Sequence, residues 1–267
     1  MFRLIQIELI KALRFKAIWW LSILYFGVIM TMLFGVETFI NEVVTDAGKN
    51  LPITIPGVSL YYFPDVWHNL TYLASFLKIF LAIISIILIT NEFSYKTIKQ
   101  QILNGLSRQE SFWSKVLLNV MISLFATFVI ATVVLILGFK NTPDISWALI
   151  SGKSSFLLAY FYETFAYLSM AFLIATLVHR SGFAIGILML YAFIIEPIIS
   201  YKLPLDYGDY LPITSFGNII QLPNSQLMKI FGIEFQQYIA NTDILIAGGW
   251  ILVFHAIVFW YYQKKDF

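Results

Sequence analysis

A lipid hydrocarbon core about 30 Å thick is crossed by about 20 consecutive helical residues, and apolar runs of that length recur six times in this chain. They fall at roughly 17–36, 70–90, 116–139, 156–178, 182–200 and 244–262. No soluble fold hides six such runs in 267 residues, and only 12% of the residues are charged, half of what a water-facing surface needs. The expected fold class is therefore an all-α integral membrane protein forming one transmembrane domain over residues 1–267, in which no internal repeat is visible. Met1 to Lys16 is charged throughout and runs into the first span without a small-residue cleavage site, so no removable signal peptide is expected. A net charge of +2, spread along the chain, gives no reason to expect nucleic acid, and the lack of cysteine excludes disulfides and thiolate metal sites.

Six spans return the chain to the side it started from, and Lys/Arg placement selects the side. Arg3, Lys11, Arg14 and Lys16 precede the first span. Lys96, Lys99, Arg108 and Lys115 lie between the second and third, Arg180 in the 179–182 turn, and Lys264 and Lys265 at the end. The opposite face holds only Lys49, Lys140, Lys153, Lys202 and Lys229. Both termini are thus expected in the cytoplasm, in a plasma or inner membrane. In the short turn His179 to Gly182, the glycine is the expected source of backbone freedom. Residues 37–69 read as a long outer loop, and 201–243 as a proline-broken apolar segment, either re-entrant or a surface cap.

Two cytoplasmic pieces keep a helical period. In residues 1–16, Phe2, Ile5, Leu9, Ala12 and Leu13 share one face opposite Arg3, Lys11 and Arg14, the pattern of a helix lying in the interface. In 91–115, "NEFSYKTIKQQILNGLSRQESFWSK", the residues Tyr95, Ile98, Ile102 and Leu106 advance by three, four and four. Gly105 offers a helix stop, and Ser107 with Glu110 forms a capping-box pattern into the third span. A short helix over 93–108, jointed to a span at each end, cannot move without tilting both.

This arrangement resembles the type-2 ATP-binding-cassette (ABC) exporter permeases over essentially its full length. The shared features are an interfacial N-terminal helix, six spans, a coupling helix between the second and third, short helices before the sixth, and cytoplasmic termini. The local resemblance rests on Glu92, Thr97, Ser107, Arg108 and Lys115, and on the closing "YYQKKDF". Where the family often has glycine before the threonine, this chain has Lys96. The resemblance implies an ATP-driven exporter subunit that acts as a homodimer with two copies of a separate ATPase. The ATPase contact would be Tyr95, Thr97, Ile98, Lys99, Ile102 and Leu106, with Glu92 and Arg108 steadying the ends of the helix. ATP and Mg would be bound by that partner, and no cofactor by this chain. Consistent with this, "SGKSS" at 151–155 lacks the glycine a phosphate-binding loop requires, since Trp147 stands there.

Lys78, Glu163 and Glu196 fall inside spans, where each costs about 2.5–3.5 kcal/mol at the bilayer centre, so all three are expected to face protein or a watery path. Lys78 and Glu163 lie at matching depth and are expected to pair or to share a cavity; Glu196 is expected either to line an exit or to reach the outer interface. His255 is expected to serve helix packing, and the aromatic clusters at span ends to form interfacial belts. Two rival functions are weaker. An intramembrane enzyme lacks a nucleophile or metal constellation, with the three histidines scattered at 68, 179 and 255. An ATP-independent transporter or scaffold would commonly show duplicated halves or broken spans, and the sequence displays neither.

Overall fold

The computed structural model describes residues 2–48, 60–204, 207–223 and 236–265, and all regular structure among them is helical. The chain is an all-α integral membrane protein. Among the described residues five helices are long and apolar enough to cross a membrane, or six when one bent pair is taken as a single span. The apolar stretch 227–235 of the 201–243 segment and the last two residues of the closing motif lie outside the described residues.

Helix α1 (Phe2–Arg14) leads through Phe15 into α2 (Lys16–Gly48). At 33 residues α2 is about 50 Å long, well beyond a hydrocarbon core. Residues 37–48 are therefore helical, contrary to the loop expected from residue 37 onward. Nothing between Glu37 and Asp46 breaks a helix, and loss of apolar character ends a span without ending its hydrogen-bond ladder. The chain beyond is tied back to this extension, with Tyr61 Oη donating to Leu33 O at 2.6 Å and Leu60 N donating to Glu37 Oε2 at 3.0 Å.

The second span is broken, a feature its sequence did not display. Helices α3 (Asp65–Ser75) and α4 (Lys78–Ser94) meet at 49° across Phe76 and Leu77. At the joint, the backbone bonds shorten to Leu77 N→Ala74 O (3.0 Å) and Phe80 N→Leu77 O (3.1 Å), and the Ser75 hydroxyl takes Tyr72 O at 2.8 Å. Serine back-bonding of this kind competes with the helical ladder and bends it. Lys78 consequently opens α4.

After the short helix α5 (Thr97–Leu103) come α6 (Arg108–Asn141), α7 (Trp147–Ser151) and α8 (Ser155–Val178). Helix α8 is the axis of the bundle, packed by α3, α4, α6 and the final helix, and it buries Phe156, Tyr160, Glu163, Tyr167 and Phe172. Helices α9 (Ser181–Leu190) and α10 (Glu196–Lys202) join through one π-helical turn, Tyr191–Ile195. Then follow α11 (Pro212–Gly217) and α12 (Asn241–Lys264). The α8–α9 turn differs from expectation: Gly182 lies inside α9, and His179 takes the left-handed conformation at φ +61°. Histidine tolerates that region better than most residues, and its ring is held by the Tyr261 hydroxyl and the Lys265 ammonium, each 2.8 Å from Nε2. Exposed apolar side chains such as Phe128, Phe183, Leu245 and Leu252 cover the outside of the bundle, as a lipid solvent requires.

Candidate functional site

Helix α5 is built by its two ends. Lys96, the residue before it, sits at φ +54°, a conformation suited to glycine, which accounts for the glycine common there in the resembling permeases and for the cost this chain carries with lysine. At the other end Gly105, at φ +94°, sends its N–H to Ile102 O while Leu106 N bonds Gln101 O, both at 3.0 Å, the paired bonds of a Schellman stop. Ser107 then starts α6 with the full capping box: Glu110 N donates to Ser107 Oγ at 3.1 Å and Ser107 N donates to Glu110 Oε2 at 2.8 Å. The helix is thus shorter than the 93–108 expected from periodicity, because these caps close it at both ends.

The two faces of α5 differ. Tyr95 (67% exposed), Lys99, Gln100 and Leu103 (76% exposed) point away from the bundle. Ile98 and Leu106 are buried against the protein's own helices, while Ile102 and Thr97 are half-buried. The apolar stripe is therefore the seat of the helix rather than its outer contact, which corrects the contact set for Ile98 and Leu106. Glu92 is also turned inward, at 5% exposure. Arg108 donates to Gln263 O and so ties the start of α6 to the end of α12.

Beneath α5 lies a cluster of four charges drawn from three helices. Lys115, fully buried, bonds Glu8 Oε1 at 2.6 Å and forms a second ion pair with Glu92. Lys11, half-buried, reaches Glu92 at 2.9 Å and Glu8 at 3.1 Å. Glu8 comes from α1, Glu92 from the end of α4 and Lys115 from α6, and Thr97 Oγ1 bonds Glu92 O at 3.4 Å. Burial pushes the Glu8 carboxyl up, but Lys115 and Lys11 together outweigh it and hold it below its usual 4.5. The cluster is charge-balanced, two against two. Removing one member of such a set leaves an uncompensated buried charge.

Sequence reasoning missed Glu8. It is the only acidic residue before Glu37, set in an otherwise basic segment, and it shares a face with Leu4 and Lys11. That isolated sign change was the available signal. Beside the cluster a cleft of about 280 Å³ opens between α5 and the α8–α9 turn, with Lys96, Lys99, His179 and Lys265 on its wall. Burial and the Lys265 ammonium push the His179 imidazole below its usual 6.5, in keeping with an Nε2 that accepts from the groups already holding it.

A second charged site lies deeper. Lys78, the first residue of α4, is ion-paired with Glu163 of α8, and its ammonium stands 5.4 Å from the centre of the Tyr167 ring. Both side chains line a cavity of about 250 Å³ beside the break between α3 and α4. Glu196 reaches no interface. It is 1% exposed, and it accepts from Ile213 N at 3.0 Å and from Thr214 N and Oγ1, fixing the start of α11. His255 Nδ1 bonds Ile251 O at 2.8 Å within α12. Around "SGKSS" the Ser151 and Ser154 hydroxyls are engaged by carbonyls of their own turn. The Lys153 ammonium pairs with Asp65 at 2.7 Å. Among the described residues no group of three or more His, Asp or Glu is arranged to hold a metal.

A family model described as ABC-2 family transporter protein matches residues 3–267 of the chain. No curated protein matches it.

Proposed function

The chain belongs to the ABC-2 transporter family and is a membrane permease subunit of an ABC transporter; from that premise we propose that α5 is where a separate ATPase drives it. The proposal rests on one observation. A helix of seven residues is ended by the Gly105 stop, seated by Ile98 and Leu106, and joined at both ends to long helices, yet together with the adjoining Tyr95 it presents Lys99, Gln100 and Leu103 outward. Without such a partner, an exposed leucine and tyrosine on so rigid a helix serve nothing inside the chain.

The charge cluster supplies the linkage. A push on α5 acts on the end of α4 through Glu92 and on α6 through Lys115, and Glu8 brings α1 with them. The ion pairs tie α1, α4 and α6 to one another, so a push on one is passed to the others. From Glu92 to Lys78 is 14 residues, about 21 Å along α4. The strut therefore delivers displacement at the Phe76–Leu77 joint and the Lys78–Glu163 pair. Two copies of the chain, each with one ATPase holding ATP and Mg, would form a two-fold exporter. The Lys/Arg bias supports a cytoplasmic position for α5 and both termini, with the chain in a plasma or inner membrane.

The test is co-purification of the full chain with a co-expressed ABC ATPase subunit. Lys99→Glu combined with Leu103→Asp should abolish association and transport-coupled ATP hydrolysis while leaving the permease folded. Association undiminished by that pair of changes would refute the docking site.

A further inference from the structure

We propose that the cavity at the α3/α4 break is a binding site for a cationic amphiphile, an apolar chain carrying a protonated amine. The inference deepens the permease reading and rests on it for the meaning of the site as a cargo position. Four aromatic rings, Tyr72, Phe76, Tyr167 and Phe193, line the cavity together with Lys78 and Glu163. Two elements that depart from regular α-helix meet there: the 49° break before Lys78 and the π-helical turn Tyr191–Ile195 that carries Phe193. Irregular helix at this depth is tolerated where it lines a cavity.

Charge selects the ligand. Lys78 contributes one positive charge to the region, while Glu163 and Glu196 contribute two negative ones. Glu196 stands directly behind the lining residue Ile213, whose N–H it accepts at 3.0 Å, and its bonded partners among the described residues are neutral donors. Glu163 is wholly buried, and its Oε2 has no hydrogen-bond partner among the described residues. With both carboxyls ionised the described residues of the region hold one uncompensated negative charge where bilayer burial makes that costly. A ligand ammonium supplies the missing charge and a donor for Glu163, and the aromatic walls favour it through their negative ring faces. An anionic ligand would double the imbalance, and a neutral one would leave it. A volume of about 250 Å³ accommodates the amine and the first part of its chain, the rest extending along the aromatic wall.

The experiment measures dodecylamine binding to the full chain in phosphatidylcholine nanodiscs at neutral pH, with empty discs subtracted, against dodecanol and dodecanoate. Gly217 lines the cavity with open space where a side chain would stand, so Gly217→Leu fills it without touching charge. We expect saturable dodecylamine binding at least tenfold tighter than that of the other two. Gly217→Leu and Glu163→Gln should each weaken it at least tenfold, and Lys78→Met should strengthen it about threefold by removing the competing cation. If Lys78→Met does not fold, the other two variants decide. Equal binding by wild type and Gly217→Leu, or preference for dodecanoate or dodecanol, would overturn the site. Because no ATPase is present, failure here leaves docking at α5 intact, and failed docking leaves this binding intact.

Discussion

Helix α4 carries a charged site at each end, and the two are built differently. At its end near the termini, Glu92 joins Glu8, Lys11 and Lys115 in a balanced set that spans three helices, with Lys115 fully buried. At its start, Lys78 meets a single ion-pair partner among the described residues, Glu163, beside a cavity, and its side chain keeps 15% of its surface exposed. A buried set with redundant contacts resists separation, because any member that leaves strands the rest. A single pair bordering open volume at a helix break can be rearranged at lower cost. The first arrangement suits a joint that transmits displacement and the second a place where displacement is used.

The comparison is broken most severely at Lys115. Lys115→Met leaves two buried carboxylates against one half-buried lysine and should cost about 3–5 kcal/mol, read as a lowered unfolding midpoint in detergent. An unchanged midpoint would mean that the cluster joins nothing. Lys78→Met should cost less, about 3 kcal/mol at most, since the Lys78 side chain keeps 15% of its surface exposed. Combining it with Glu163→Leu should restore stability to within about 1 kcal/mol of wild type, as apolar replacement of an isolated pair commonly does. No such double change should rescue Lys115→Met, because two acids depend on it.

Acid should separate the sites next. The folded-state pKa of Glu8 lies below its unfolded value of 4.5, so its contribution is complete above about pH 4.5 and is lost as pH falls through the lower folded value. Each unit of depression is worth about 1.4 kcal/mol. The drop in unfolding midpoint from pH 5 to pH 3 should therefore be smaller in Glu8→Gln than in wild type. The smallest effect is expected on the exposed face of α5, where Leu103→Asp should alter stability by about 0.5 kcal/mol or less. A larger loss would place Leu103 in the packed seat of the helix.

The spans, the capping box at Ser107 and Glu110, and the stop at Gly105 were legible in the sequence because each follows from local periodicity or local chemistry. What was not legible depends on which partner a side chain meets. The spacing of Tyr95, Ile98, Ile102 and Leu106 marks a face without saying whether it looks inward, and Ile98 is buried while Tyr95 is exposed. Glu8 gave no motif, because its buried partner, Lys115, stands 107 residues away and only the half-buried Lys11 is near it in sequence. The break at Phe76 and Leu77 has no proline or glycine to announce it and arises from Ser75 back-bonding. The helical extension to Gly48 was obscured because hydropathy reports the membrane boundary and not the end of a helix.

The central claim is that the exposed face of α5 meets the ATPase. The chain has no native cysteine, so a single introduced thiol reports one position. Leu103→Cys, joined by a short thiol-reactive cross-linker in native membranes, should give a covalent adduct with the ATPase subunit. Trp147→Cys, 84% exposed at the opposite end of the bundle, should give none. An adduct from position 147, or none from 103 in membranes where both subunits are present, would contradict the account.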